Sequence, residues 1–579
     1  MDGQHFFKGA IIIYVLLIFW IVWYYSGVMI KDKISDDEIE SKPTIRSNSL
    51  FNTTLHVTTS TVTPPTDIRG LLPHYLGPGA NGDVVAVPKN DDNYTELRQK
   101  YLKYQVNNFL TNIVGLKRIQ PDRRPEVCKQ KIYPSDLPAV SIILTFRDEP
   151  FVTLLRTVYS ILETSPTHLI KEIILVDDGS EDEELLSAVK VHAANVDKLK
   201  LIRNERSLGL MRARQRGILS SEADYFIVMD GHVEATPGWL EPIMYRLKTH
   251  PKSLLTSHIG IVKCEDFGFF LGHHEDFVLL FDQVSLNEHW VRYKPEYLKY
   301  RNGSVEPIPY GMVPGMMMSM KKSFFLDLGG FDLGMEVWGA EHMEMSVKVW
   351  LCGGRVEMVP CSKLGHLYRP APWHKFTEKK DYVLKNLLRF TLVWMDGYMQ
   401  EMALHTRRSD NETKMMERVG DISERLQIKS DQKCKPYQSF IDLILNTFAV
   451  YVPVNPKAKG VIKNRSRKQC LDRSQTDGRF SLILYPCNGN VNQFIILTED
   501  SCLRADRTWF VVEPGSDNIH VKMDESVRDK DESKWSYESN GNLKHIKTGK
   551  CLTASYTDKI SLDSCTDTQF QQWDWETMS

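Results

Sequence analysis

Phe226-Ile-Val-Met-Asp230-Gly-His232 is the stretch that decides how the fold is read. Ile227, Val228 and Met229 form an apolar run too short and too abruptly ended for a helix, so they read as a buried parallel strand. Side chains alternate faces on extended backbone, which sends Asp230 and His232 off the strand end in the same direction. A carboxylate and an imidazole at the carboxyl end of a strand suit a divalent ion. A lone Asp-x-His is more often a solvated turn, so the neighbouring pattern has to decide.

That pattern is strand, helix, strand. Val140 to Thr145 reads as a buried strand, Thr153 to Leu162 as a helix, and Glu172 to Val176 as a second strand ending at Asp177-Asp178-Gly179-Ser180. A strand at 199–202 and a helix after Gly209 lead back to Asp230. The alternation predicts an α/β domain with an open, mostly parallel sheet and right-handed crossovers, in which ligands sit beyond the strands' carboxyl ends. Thr145, Asp178 and Asp230 all fall at that edge. The acidic pair at 177–178 suits ribose or base groups, with a helix N-cap as the structural alternative. Further on, Trp338-Gly-Ala-Glu341-His342 precedes an apolar helix from Met343 to Leu351, and Cys361 to Arg369 contains His366, which taken alone reads as structural.

The chain is long enough for several domains, and its net charge of −2 argues against a nucleic-acid binder. Gly9 to Ile30 is apolar, long enough to span a bilayer, and flanked by Trp20, Trp23, Tyr24 and Tyr25. With no small-residue cleavage site it reads as an uncleaved transmembrane signal-anchor at 9–30, behind a cytoplasmic tail at 1–8. Flanking charge does not orient it, since Lys8 faces Lys31 and Lys33. Five sequons, at Asn52, Asn93, Asn302, Asn411 and Asn464, and ten cysteines beyond the span favour a lumenal body. Residues 31–95 carry acidic and Ser/Thr/Pro-rich runs that cannot bury a core, which fits a stem. Tyr94 to Phe109 has helix-compatible spacing. The folded body is expected over 96–445, followed by a linker at 446–459 and a second domain at 460–579. There, Cys470-Leu, Cys502-Leu and Cys551-Leu each open a stretch that closes on an aromatic, at Phe494, Trp535 and Trp573. The absence of any Cys-x-x-Cys makes zinc ligation a poor alternative.

Residues from about 105 to 400 resemble the polypeptide N-acetylgalactosaminyltransferase family. The matching stretches include Leu154-Leu-Arg-Thr-Val158, Ile174-Leu-Val-Asp-Asp178, Gly209 to Arg214, Asp230-Gly-His232, Gly329 to Met335, Trp338-Gly-Ala-Glu341, Cys361 to Arg369 and Gly420 to Arg425. The resemblance implies a GT-A-like nucleotide-sugar transferase domain that uses UDP-GalNAc and Mn²⁺. Asp230, His232 and His366 would be the metal ligands. Thr145 and Asp178 match donor-nucleotide positions. Gly315, Trp338, Glu341 and Arg369 match positions around the sugar and diphosphate, with Asp230, Glu341, Trp338 and Arg369 at the catalytic centre. Residues 366 to 376 match a mobile covering loop.

The family attaches GalNAc to Ser or Thr hydroxyls with retention of configuration, starting mucin-type O-glycosylation in the Golgi as a type II membrane protein. Its acceptors are proteins or glycopeptides. The three C-terminal repeats resemble the ricin-type β-trefoil lectin of the same family, and only the first keeps Asp472 with Asn492, a pair able to fix sugar hydroxyls. The resemblance further pairs Cys128 with Cys361, Cys352 with Cys434, Cys470 with Cys487 and Cys551 with Cys565, leaving Cys264 and Cys502.

The chain also departs from the family. The family's Phe-His-Asn-Glu is Phe146-Arg147-Asp148-Glu149 here, and Ser207 stands where a donor-site arginine is expected. Ala340 replaces the second glycine of the Trp-Gly-Gly-Glu-Asn motif, and His342 replaces its Asn. Met316 replaces the second glycine of a tandem pair, and Pro372 and His374 replace a His and a Tyr. These changes bear on donor affinity and turnover. Two functions are therefore expected to compete: a transferase, and a weakly active homologue that serves as a lumenal glycopeptide-binding protein.

Overall fold

The computed structural model describes residues 77–85, 105–271, 276–301, 304–369, 381–406, 412–476, 479–513, 519–522, 527–528, 530–556 and 559–577. The expected anchor at 9–30, the stem, the sequons at Asn52, Asn93, Asn302 and Asn411, most of the helix expected over Tyr94–Phe109, and positions 370–376 of the covering loop lie outside them. No helix among the described residues is long and apolar enough to cross a membrane.

The strand–helix alternation is realised as β1 (Val140–Phe146), α1 (Phe151–Thr164), β2 (Ile170–Asp177), α2 (Glu183–Asn195), β3 (Leu199–Arg203), α3 (Leu210–Ser220) and β4 (Tyr225–Asp230). These four strands are parallel, in the order β4-β1-β2-β3. Both faces are covered. Ile142 and Leu144 pack with Leu154, Val158 and Trp239 on one side, while Ile143, Ile174 and Val176 pack with Met211 and Ile218 of α3 on the other. That is why the middles of β1, β2 and β4 read as apolar runs. Gly217 lets α3 lie close: a Cβ there would meet Ile143 Cγ2 at 2.5 Å.

The remaining half of the sheet corrects the mostly parallel expectation. After β4 come β5 (Val233–Ala235), α4 (Leu240–Thr249), β6 (Ser253–Lys263), β7 (Phe269–Phe270), a hairpin of β8 (Phe277–Phe281) and β9 (Glu288–Arg292), then β10 (Ile308–Pro309), β11 (Met317–Lys321), α5 (Glu341–Leu351) and β12 (Arg355–Tyr368). The sheet runs β10-β12-β6-β11-β4-β1-β2-β3. β11 is antiparallel to both β4 and β6, and β5, β7 and β10 also pair antiparallel, so the sheet is mixed. The reason is local: the chain turns at Pro314–Gly315, beside the end of β4, and β11 can only return along it.

Helices between Tyr382 and Thr447 close the domain over α5. Phe448, Tyr451 and Val452 of the expected linker are buried. The trefoil then begins at Ala458, and its described strands run to Thr577. Its repeat-end aromatics Phe494, Trp535 and Trp573 are all buried. All four disulfides implied by the resemblance are present, and Cys264 and Cys502 are free and buried.

Candidate active site

Asp230 is the last residue of β4, and its amide donates to the carbonyl of Met316. The chain then turns through Gly231-His232 into β5, which pairs antiparallel with β12 so that His366 faces Val233 in register. The amide of Leu367 donates to the carbonyl of His232, 3.1 Å away. This short β4-turn-β5 corner therefore brings a histidine from 134 residues downstream against the Asp-x-His pair. Among the described residues, Asp230, His232 and His366 form a group whose ligand atoms all lie within 4.8 Å of one another.

The donor set fits a divalent cation. His366 Nδ1 and Nε2 are buried without a hydrogen-bond partner among the described residues, and such nitrogens are costly unless something ligates them. Burial first, then the charge of His232 and Arg369, outweighs Asp230 and pushes His366 down to about 4, so its imidazole is neutral near pH 7. Burial alone would raise the Asp230 carboxyl, but His366, Arg214 and His232 together hold it well below the usual range. One carboxylate and two imidazoles are a mixed O/N set of the kind that Mn²⁺-type ions accept.

Two further residues complete this corner, and sequence reading missed both. Arg214 of α3 is buried; its Nη2 lies 2.8 Å from Asp230 Oδ1 and 2.6 Å from the carbonyl of Gly315. Glu149, from the loop after β1, receives Arg369 Nη2 on one oxygen and lies 3.4 Å from His232 Nδ1 with the other. A carboxylate behind a metal-type histidine orients its ring and tautomer. Either residue looks like an ordinary charged side chain in sequence; only the loop's Phe-x-x-Glu spacing offered a signal.

Glu341 opens α5 fully buried. Its Oε2 accepts the amide of Gly339 at 2.9 Å, and its Oε1 lies 3.6 Å from Arg214 Nη1 and from His342 Nδ1. Burial opposes ionisation there, but His342 and Arg214 hold the carboxyl low. His342 bridges two carboxylates, with Nε2 2.9 Å from Glu288 Oε1 on β9. Burial would lower its pKa, yet Glu288 and Glu341 push it up to about 10. The His342 substitution thus inserts a buried imidazolium behind Glu341.

Trp338 is half exposed, with its carbonyl held by Asn386. Val337 and Ala340 on either side of Trp338-Gly339 have φ of 57° and 68°, left-handed values that neither side chain favours. Gly315 lies against the same carboxylate: a Cβ there would stand in ordinary contact, 3.4 Å from Glu341 Oε1. Next to it, Met316 Sδ accepts the hydroxyl of Tyr368 at 3.7 Å. Thr145 pairs in register with Asp230, and its buried hydroxyl has no partner among the described residues.

Asp178 is committed elsewhere. Its carboxylate accepts from Asn204 Nδ2, Ser207 Oγ and the amides of Leu208 and Gly209, at 2.8 to 3.0 Å. Ser207, the residue standing where an arginine was expected, therefore helps fix the loop before α3. The role is a loop anchor, not the helix cap considered from sequence; Asp182 caps α2 instead.

In the trefoil, Asp472 accepts Gln493 Nε2 at 2.9 Å, and Asn492 Oδ1 accepts Arg473 Nη2 at 2.6 Å. The equivalent positions of the other repeats are Arg504, buried in an ion pair with Asp282, and Thr553, whose hydroxyl accepts Gln571 Nε2. The sequon at Asn464 is corrected. Its side chain is fully buried, donates to the carbonyl of Phe570 and accepts the amides of Ser466 and Arg467, so the folded domain has no room for a glycan there.

Fold and site together define a GT-A-like glycosyltransferase carrying a ricin-type trefoil. Residues 141–329 match the glycosyl transferase family 2, residues 304–374 the N-terminal domain of galactosyltransferase, and residues 458–573 the ricin-type beta-trefoil lectin domain. The chain is 31% identical over 504 residues to human polypeptide N-acetylgalactosaminyltransferase 13, covering 86% of this chain and 88% of that one. It is 32% identical over 517 residues to the bovine polypeptide N-acetylgalactosaminyltransferase 6, covering 86% and 82%. Among solved structures, GalNAc-T7 with UDP, GalNAc and Mn²⁺ superposes with a TM-score of 0.70 at 24% identity, covering 89% of this chain and 94% of that one. The chain belongs to the polypeptide N-acetylgalactosaminyltransferase family and is a glycosyltransferase.

Proposed function

We propose that the protein transfers N-acetylgalactosamine from UDP-GalNAc to Ser or Thr hydroxyls of proteins or glycopeptides, with Mn²⁺ and with retention, as a single-pass type II protein of the Golgi membrane. The observation that carries this reading is the Asp230/His232/His366 group at the carboxyl end of β4, with two buried arginines beside it. Bound there, Mn²⁺ would supply Lewis-acid stabilisation of the charge on the departing UDP.

The chain's own residues do the rest. Arg214 turns one oxygen of Asp230 away from His366, and Glu149 holds His232 and Arg369 in fixed relation. Thr145 offers an unpaired hydroxyl to the nucleotide side. Glu341 presents a fixed, ionised carboxylate on the sugar side, next to Gly315. Incubating the detergent-solubilised full chain with UDP-GalNAc, Mn²⁺ and a mixed Ser/Thr peptide pool tests the reading. Product mass gain of one N-acetylhexosamine, lost in Asp230→Asn, is the expected result.

A second reading is a glycopeptide-binding protein of low turnover. Two observations favour it: Asp178 is saturated by its own loop, and the Met316 side chain occupies the ground that the second glycine leaves open in the family. Mn²⁺-dependent UDP binding without any transfer would select it.

A further inference from the structure

Arg504 stands at the position in the second trefoil repeat that Asp472 holds in the first: Cys470-Leu-Asp472 against Cys502-Leu-Arg504. It does not face solvent as a sugar-binding side chain would. It is buried, its Nη2 lies 2.5 Å from Oδ2 of Asp282 in the transferase domain, and its guanidinium covers Tyr451 of the connecting segment at 5.1 Å. The other oxygen of Asp282 accepts the amides of Val284 and Ser285, and its backbone closes the turn with Asn287 and Leu286. Gln283 is pinned in the same turn by the hydroxyl of Tyr437. The turn therefore has little freedom. It leads straight into β9, whose first residue, Glu288, pairs in register with Phe281 and reaches His342. His342 in turn stands behind Glu341.

We infer that Glu288 is a positioning residue for Glu341, acting through His342, and that the trefoil fixes its place by gripping Asp282 with Arg504. The second repeat has exchanged a sugar-binding carboxylate for an interdomain clamp. The inference rests on the transferase reading for its kinetic consequence, though not for its structural one. A purely adhesive Arg504–Asp282 pair would hold the domains together and leave Glu341 indifferent to Glu288.

The experiment uses the full chain with Glu288→Gln, Arg504→Met, the two combined, and Glu288→Gln/His342→Asn. Asp282→Asn serves as a shape-preserving second probe of the clamp should Arg504→Met fold poorly. Three readouts are taken: Mn²⁺-dependent UDP affinity, kcat and KM for transfer, and hydrogen exchange of the segment containing the Gly339 amide, which Glu341 accepts. Each single change is expected to lower kcat by about tenfold with UDP affinity within about twofold, because misplacing a group near the reacting atoms costs rate before binding. The combined change is expected to be no worse than the poorer single one, since both act through one turn. Removing the imidazolium left with Glu341 as its one carboxylate, in Glu288→Gln/His342→Asn, should restore most of the loss. Exchange at Gly339 should rise in both single variants. Additive losses, or unchanged Gly339 exchange in both, would overturn the inference. A wild-type chain that binds UDP but does not transfer would instead defeat the proposed function, and the exchange data would still decide this question.

Discussion

Arg214 Nη2 lies 2.8 Å from Asp230 Oδ1, and that contact decides which oxygen of Asp230 is left for a cation. The other oxygen faces His366 Nε2 at 3.6 Å, too long for a hydrogen bond and suited to two ligands of one ion. The same nitrogen of Arg214 also reaches the Gly315 carbonyl. With Nη1 3.6 Å from Glu341 Oε1, this one buried fork ties the metal corner to the sugar side.

The first prediction follows from that fork. Arg214→Lys keeps the charge but loses the planar fork that sets Nη2 on Asp230 and Gly315 while Nη1 faces Glu341. Affinity for UDP in the presence of Mn²⁺ should fall by about 10- to 100-fold, the range for losing a residue that orients a metal ligand. Calorimetry with Mn²⁺ and UDP reads it directly, and unchanged affinity would separate Arg214 from the site.

The second concerns pH. His366 is held at about 4 against an ordinary value near 6.5, so the unfolded chain binds a proton there that the folded chain refuses. Metal-free stability should therefore fall as pH drops from about 6.5 towards about 4, and level off for this residue below that. His342 behaves oppositely: raised to about 10, it contributes stability that is fully present below about 6.5 and is lost as pH rises through about 10. Urea midpoints measured with chelator should show His366→Gln flattening the acid limb and His342→Asn flattening the alkaline one. Parallel profiles for wild type and variant would contradict the assignment.

The third prediction concerns backbone strain. Ala340 holds φ 68° where the family motif carries glycine, and the left-handed region costs a non-glycine residue about 1–2 kcal/mol. Ala340→Gly should raise stability, by less than this because glycine also gains entropy when unfolded. A higher melting temperature is the expected readout; a lower one would mean the strain is fully compensated.

The fourth concerns Asn464. Glycopeptide mass spectrometry of the secretory-pathway protein should find this sequon unmodified. Asn464→Ala should destabilise the trefoil by roughly 1–3 kcal/mol, the cost of stranding buried hydrogen-bond partners. A glycan at Asn464 would require the loop at 464–468 to be rebuilt.

The parallel half of the sheet and the metal corner were legible because β1, β2 and β4 carry the short apolar runs Ile142–Leu144, Ile173–Val176 and Phe226–Met229, each ending at a polar residue. Asp230 and His232 announced themselves by spacing, while His366 needed the family resemblance, since β12 reaches the corner only through its pairing with β5. The antiparallel strands were hidden: β11 is five residues long and methionine-rich, without the alternation that marks a strand. Arg214 and Glu288 carried no local signal, and Glu149 only its Phe-x-x-Glu spacing, because what makes them functional is a partner from another element. Asn464 misled for the converse reason, since a sequon describes three residues and burial depends on the whole domain.

The last prediction separates the trefoil repeats. Asp472 is buried enough that desolvation raises its carboxyl, although Gln493 and Arg473 pull it back. One of its oxygens is taken by Gln493, which leaves the other to accept a sugar hydroxyl beside Asn492. In the third repeat Thr553 puts a neutral hydroxyl in the same place against Gln571, and in the second Arg504 is consumed by Asp282. Only the first repeat can therefore offer a charged acceptor. Asp472→Ala should weaken binding of a GalNAc-bearing glycopeptide by about 1.5–3 kcal/mol, roughly ten- to a hundredfold, while Thr553→Ala leaves it unchanged. Because Asp472→Ala also frees Gln493, the trefoil's unfolding midpoint must be measured beside the affinity. Weakened binding with an intact midpoint assigns the sugar to Asp472, and equal binding by wild type and variant removes the first repeat from sugar recognition.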